Sequence, residues 1–461
     1  MLEEKDNSNI LINDIEQMET DKKIDNSTKK EKIIYILKGL SSLISSIFHN
    51  IGYSSIWVLG YTTIYLISFR RHYNQNIDFS YSYCFIPLMN LVFGLTSPIA
   101  GFFEDKYGGK KTIFISNLII CICFIMMYFS RSLYFDYFLM CLNGFGISVG
   151  YNITKKNACA FFINKKGLIC AIINLFSNFF SFCLIFYFEV FILNFNNKYP
   201  SIEKMYYNEN IFLNYQKVII FEIGLLAFTC LITLLLYFKN DPKDTLKLGF
   251  NEKKIDEEQS NKIEKKKKKV PKYVKIKSAI KNKRTIKLII MAFLLYPMIN
   301  FINNLIRMDI HFYFIFGALY NAVGCISSLI FGLITDCVQF RILLVILAVL
   351  LSLSSFIYIY YFEGEFILFF IVILVSFVDN GFNILFDSHI MKVYGMDIYL
   401  EIWGVIRGSG RMSEIFAIIL YYLLESHINI YKIIYGFIGI FSLISLGFGL
   451  FETEDKLNYD N

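Results

Sequence analysis

The chain has 461 residues, of which 56% are hydrophobic and 18% aromatic, with a formal net charge of +7 and a mean hydropathy of +0.50. That much apolar surface exceeds what a soluble domain hides, so a water-soluble globular protein is excluded and the bilayer is the expected solvent. The ten cysteines include no C-x-x-C pair and read as reduced core residues, not as a disulfide or metal framework.

Residues 1–33 are polar and carry nine acids, unlike a secretory signal or an Arg-rich transit peptide, and read as a disordered cytosolic tail. Apolar runs long enough to span a bilayer, about 18 residues or more, then follow at 45–68, 82–103, 112–130, 133–153, 167–188 and 217–238. They define an N-terminal six-helix bundle over residues 34–238. A basic cytosolic linker covers 239–285; between 239 and 287 there are 18 Lys or Arg against 7 Asp or Glu, including the run Lys265 to Lys269. A second set of runs at 286–306, 312–335, 342–362, 366–388, 402–424 and 432–451 makes a C-terminal six-helix bundle over 286–451, followed by a cytosolic tail at 452–461. The predicted fold is an all-α membrane protein with twelve transmembrane helices in two pseudo-symmetric six-helix bundles.

Lys and Arg near helix ends resist translocation, so the linker stays in the cytosol, and an even helix count brings both termini to the same side. Lys106, Lys110 and Lys111, and then Lys155, Lys156, Lys165 and Lys166, fall on that side too, with Arg70 and Arg71 as the exception. The lysine run reads as a solvated topology signal, or as a contact for anionic lipid headgroups, and no nucleic-acid partner is required.

One pattern is written twice, as Gly101-Phe-Phe-Glu-Asp105-Lys106-Tyr-Gly108-Gly109-Lys110 and as Gly332-Leu-Ile-Thr-Asp336-Cys-Val-Gln-Phe-Arg341. The three matched positions are separated by the same interval, so the halves are related, as in many secondary transporters. A glycine near a helix end lets a neighbouring helix approach, and the carboxylate follows one turn later. Asp105 would stand at the C-terminal end of its own helix, where the macrodipole disfavours a negative charge. It is expected to serve another element, such as the N-terminus of a facing helix, or a cation such as Lys110.

With Lys111 beside it, the first copy resembles the loop between helices 2 and 3 of the major facilitator superfamily, whose pattern is Gly-x-x-x-Asp-(Arg/Lys)-x-Gly-(Arg/Lys)-(Arg/Lys). The resemblance implies two bundles that rock about a central site, gated by Gly101, Asp105, Lys106, Gly108, Lys110, Lys111, Gly332, Asp336 and Arg341. A second stretch contains Gly144, Gly146, Gly150 and Tyr151, then Lys165, Lys166 and Gly167; it resembles the helix 4 to 5 signature of monocarboxylate transporters and oxalate/formate antiporters. The layout Phe386-Asp387, Tyr394-Gly395, Trp403-Gly404 and Gly408-Ser-Gly410 is similar to helices 10 and 11 of that branch. Its members carry an arginine in helix 8, four residues before the second-copy glycine, where this chain has Ser328.

Charges inside a membrane are costly and usually functional. Arg407, Arg411 and Glu414 are spaced four and three residues apart, which puts them on one helix face, with Arg411 near the midplane. An arginine fork in a low-dielectric cavity suits a carboxylate. Arg411, Arg407, Glu414 and Asp379 are therefore the candidate substrate-binding residues; the alternative is a structural ion pair in which Arg411 and Glu414 satisfy each other or reach Asp379 or Asp387. His49 and Glu414 are candidates for proton coupling, although His49 is placed at a solvated helix end. Glu222, Arg307 and Asp309 read as mouth residues.

The resemblance implies a transporter of small organic anions working by alternating access, proton-coupled or by exchange, and a monomer whose partners are the anion, the bilayer and protons. No catalytic residues, metal ligands or cofactor motif are found. Two alternatives stand beside it: a carrier of another small solute such as an amino acid, sugar or drug-like molecule, and a non-transporting receptor or scaffold with the same fold.

Overall fold

In lipid every backbone N–H and C=O must be satisfied within its own segment, so long runs of Leu, Ile, Phe and Val fold as helices. The computed structural model describes residues 3–59, 63–71, 84–193, 209–240, 271–308, 313–360 and 365–413, with isolated positions elsewhere. The N-terminal half comprises α1 (Glu3–Leu59), α2 (Thr63–Arg71), α3 (Phe85–Thr96), a 3-10 turn (Ser97–Ile99), α4 (Ala100–Tyr107), α5 (Gly109–Phe129), α6 (Leu133–Gly150), α7 (Ile153–Phe161), α8 (Lys166–Leu193) and α9 (Glu209–Leu236). After the linker helix α10 (Lys272–Lys281) come α11 (Lys283–Met308), α12 (Tyr313–Ile334), α13 (Phe340–Tyr360), α14 (Glu365–Val393) and α15 (Tyr399–Met412).

Among the described residues, seven helices are long and apolar enough to cross a membrane. The architecture agrees with the twelve-helix fold of two six-helix bundles. Glu414 and most of the last expected span, 432–451, lie outside the described residues, as do Lys265 to Lys269 and Asp309; Arg307 falls in α11. The polar N-terminal stretch is helical from Glu3, in keeping with its many Glu and Lys residues, which are good helix formers.

The repeat in the sequence is repeated in the packing. In the first half α6 packs on α3 and α5; in the second, α14 packs on α12 and α13. Across the halves α12 lies along α8 and α15 lies along α3, a pair of contacts related by the same two-fold relation. Gly404 meets the backbone of Ser97 and Pro98, where an added Cβ would fall 2.5 Å from Pro98 N. The backbones of Gly94 and Gly408 approach as closely. Gly404→Val is expected to force α15 off α3 and lower the melting temperature, at a cost of about 1–3 kcal/mol; Gly224→Val, at a position with open space, serves as the control.

Candidate functional site

Three layers of polar contact join the halves, beginning at the end that carries the repeated motif. Gly108 turns the chain between α4 and α5 with φ +78, a conformation that favours glycine. The second-copy carboxylate, Asp336, accepts hydrogen bonds from the backbone N–H groups of Gly167 and Leu168, both at 3.0 Å, and so caps the N-terminus of α8. Lys392 stands 3.6 Å from the same carboxylate and donates to the Thr335 carbonyl at 2.7 Å.

By the pseudo-symmetry Asp105 should cap α15 in the same way, but it does not. The first turn of α15 carries its own acid, Glu401, which is 2% exposed and presses against Gly101. Two carboxylates would repel there. Lys272 from α10 enters between them, 2.6 Å from Asp105 Oδ2 and 2.8 Å from Glu401 Oε1. Asp105 thus serves a cation, as expected, but the cation comes from the linker and is not Lys110. Half-burial works against the Lys272 charge, yet the two carboxylates raise its pKa above the ordinary lysine value. The sign follows: the clip holds across physiological pH and is lost only as pH rises through that raised value.

Lys272→Ala leaves Asp105 and buried Glu401 facing each other without a cation, and is expected to open the motif end by about 1–3 kcal/mol. Spin labels placed on α4 and α15 would report this as a longer distance distribution. Lys106, Lys110, Lys111 and Arg341 stay exposed; Lys106 lies 5.2 Å from the Tyr107 ring and Arg341 bonds Gln339 at 3.0 Å.

A second layer lies deeper. Lys155, read from sequence as a topology cation, is instead 1% exposed, and its Nζ donates to Asp387 Oδ2 at 2.8 Å across the two halves. Trp403 Nε1 donates to the other oxygen at 2.6 Å. Lys155 stands four residues after Tyr151, across the turn between α6 and α7, and lies 5.1 Å from its ring.

The third layer is a central cavity of about 150 Å³. Arg407 and Arg411 both line it, as do Asp379, Asp387, Lys155 and Tyr151. Arg407 is 6% exposed; its guanidinium lies 4.2 Å from the Tyr296 ring, and its Nη2 donates to Asn383 Oδ1. Its Nη1 is buried with no hydrogen-bond partner among the described residues. Arg411 lies 5.0 Å from the Trp57 ring and within electrostatic reach of Asp379. Asp379 accepts from the Tyr320 hydroxyl and from Asn383 Nδ2 at 3.3 Å.

The glycines of the helix 4 to 5 signature serve packing. Gly144 abuts the Met89 carbonyl, Gly146 abuts Ile120, Gly150 abuts Tyr53 and Ser116, and Gly167 meets Thr335 and Asp336. Gly332 lies against Ala171.

Three other expectations are corrected. His49 is 2% exposed and not solvated; its Nε2 lies 3.1 Å from the Gly150 carbonyl and its ring packs on Tyr53. Glu222 is fully buried in the seam of α9 and α1 beside Ser55, not at a mouth. Arg70, counted among the loop charges, is not solvated: it is buried with Asp136 and also donates to the carbonyls of Ser130 and Met127, so it fastens α2 to α5 and α6.

The sequence matches the family model described as Major Facilitator Superfamily over residues 42–398. The chain belongs to the major facilitator superfamily. It is thus an integral, multi-pass membrane transporter. A comparison with curated proteins finds no match.

Among solved structures, it is similar to a major facilitator superfamily transporter, FucP, in the outward conformation, with a TM-score of 0.61, 13% identity, and coverage of 88% of this chain and 98% of that one. It is also similar to the human organic anion transporter MFSD10 (TM-score 0.60, 10% identity, covering 90% of this chain and 99% of that one). The proton:xylose symporter XylE, bound to 6-bromo-6-deoxy-D-glucose, matches with a TM-score of 0.58 and 9% identity over 90% of this chain and 94% of that one. At such identities these likenesses concern the fold.

Proposed function

We propose that this transporter carries small organic anions of the monocarboxylate type by alternating access, by proton coupling or exchange, with the motif end and both termini on the cytosolic side. The observation that carries the reading is the charge balance of the cavity. Three cations, Lys155, Arg407 and Arg411, line it with two carboxylates, Asp379 and Asp387. Lys155 is taken by Asp387 and Arg411 faces Asp379. Among the described residues Arg407 is left with a buried, unused N–H and no carboxylate, so a substrate carboxylate supplies the missing charge.

Closure at the motif end leaves this site to be reached from the opposite side in the present state. Substrate binding between the halves, followed by release of Asp105, Asp336 and Lys155 from their partners, is the exchange of states that alternating access requires.

Thermal stabilisation of the purified protein tests the proposal, because a ligand of the folded state raises the melting temperature by mass action. Lactate, pyruvate, formate or oxalate should give a shift that disappears in Arg407→Ala. A shift with neutral sugars alone, unchanged in that variant, would sink the reading. A second reading, a zwitterionic amino acid, is favoured by Asp379 beside the two arginines. It requires an amino-acid shift that Asp379→Asn abolishes.

A further inference from the structure

We infer that the anion taken by this cavity is a polyhydroxylated one, a sugar acid, recognised jointly by Arg407 and by a ring of side-chain amides; the inference rests on the anion reading above. The amides are Asn90 from α3, Asn174 and Asn178 from α8, Asn321 from α12, and Asn380 and Asn383 from α14. Three therefore come from each half. An amide never ionises, and it offers two N–H donors and an acceptor oxygen, the complement of hydroxyl groups that both donate and accept.

Four of the six amides are held before a ligand arrives. Asn178 Nδ2 donates to Asn380 Oδ1 at 2.7 Å, across the two halves. Asn380 Nδ2 is tied to the Ser376 carbonyl at 3.0 Å and Asn321 Nδ2 to the Gly317 carbonyl at 2.8 Å, each four residues back on its own helix. Asn383 accepts from Arg407 and donates to Asp379, which couples the amide ring to the cation. Asn174 has no such tie. It lines the cavity at 8% exposure, one helical turn before Asn178, and makes no hydrogen bond among the described residues.

A short unsubstituted carboxylate would satisfy Arg407 and leave the amides facing an alkyl chain. Each buried polar group left unpaired costs about 1–3 kcal/mol. Sites built to hydrogen-bond a hydroxyl accordingly reject analogues that lack it by large factors, up to roughly 10⁴-fold. Charge sets affinity for the anion, and the amides select hydroxyls along its chain. A solute that meets amides of both halves also ties its binding to their relative position.

The test compares four probes of similar size on the purified full chain: gluconate and glucuronate, hexanoate, and glucose. Binding is read by thermal stabilisation and by isothermal titration. Gluconate or glucuronate should bind at least roughly tenfold more tightly than hexanoate. Asn174→Ala should erase most of that preference by weakening the sugar acids and, since it removes an amide that hexanoate leaves unpaired, not weakening hexanoate; Asn174→Ser, which keeps a donor and an acceptor, should retain part of the preference. If hexanoate binds as tightly as gluconate, with both lost in Arg407→Ala, the inference falls and the anion reading stands. Glucose binding alone, indifferent to Arg407→Ala, would overturn both.

Discussion

Lys155→Met is expected to lower the stability of the protein by about 3–5 kcal/mol, the usual cost of stripping one partner from a buried ion pair. The variant leaves the Asp387 carboxylate 2% exposed with Trp403 as its remaining named donor. Removing both charges together, as in Lys155→Met with Asp387→Leu, should restore most of the loss, because the penalty comes from the orphaned charge and not from the missing attraction. Melting temperatures of the wild type, both single variants and the double variant close a cycle that measures the coupling. Equal losses in the single and double variants would show that the residues matter for shape alone. Stability and turnover are expected to diverge: the double variant should fold yet transport poorly, since the pair spans the halves and must part when the motif end opens.

Arg407→Ala is the second large effect. Truncating one member of a buried charged contact costs about 2–5 kcal/mol, so anion affinity should fall by roughly thirtyfold or more, read as the disappearance of ligand-induced stabilisation. Arg407→Lys keeps the charge but loses the planar fork, and is expected to recover only part. Arg411→Ala needs a separate interpretation, because it leaves Asp379 uncompensated beside an arriving anion. Adding Asp379→Asn to Arg411→Ala should rescue binding, whereas adding it to Arg407→Ala should not. If all three arginine variants behave alike, the division of labour between the two guanidinium groups is wrong.

Much of the scaffold is legible in the chain because membrane folding is governed by local quantities. An apolar run of given length, a loop charge and a repeated glycine each carry meaning without knowledge of the neighbours, which is why the spans and the duplication are readable. The spacing of Arg407 and Arg411 is local in the same sense, and both side chains do line one cavity. What fails is the assignment of partners.

Lys155 lies in a segment rich in lysines, and nothing nearby distinguishes it from Lys156, which pairs with Glu104 at 2.6 Å on a partly exposed surface. Its partner lies more than two hundred residues further along the chain. Arg70 and Asp136 mislead in the same way, since a buried pair and a topology signal look alike when only one member is considered. Glu401 is the most instructive case. It occupies the place where the symmetry of the halves calls for a bare helix N-terminus, and the departure becomes meaningful only once Lys272 is seen beside it.

The contacts that hold the motif end shut differ in how much solvent reaches them. Lys272 and Asp105 keep side-chain exposures of 31% and 52%, whereas Lys155 and Asp387 are sealed. Dissolved ions screen exposed charges over a Debye length of about 8 Å at physiological strength and scarcely touch buried ones. Raising the salt should therefore loosen the clip made by the linker while the Lys155 pair holds, so that ionic strength separates the outer fastening from the inner one without any change to the chain.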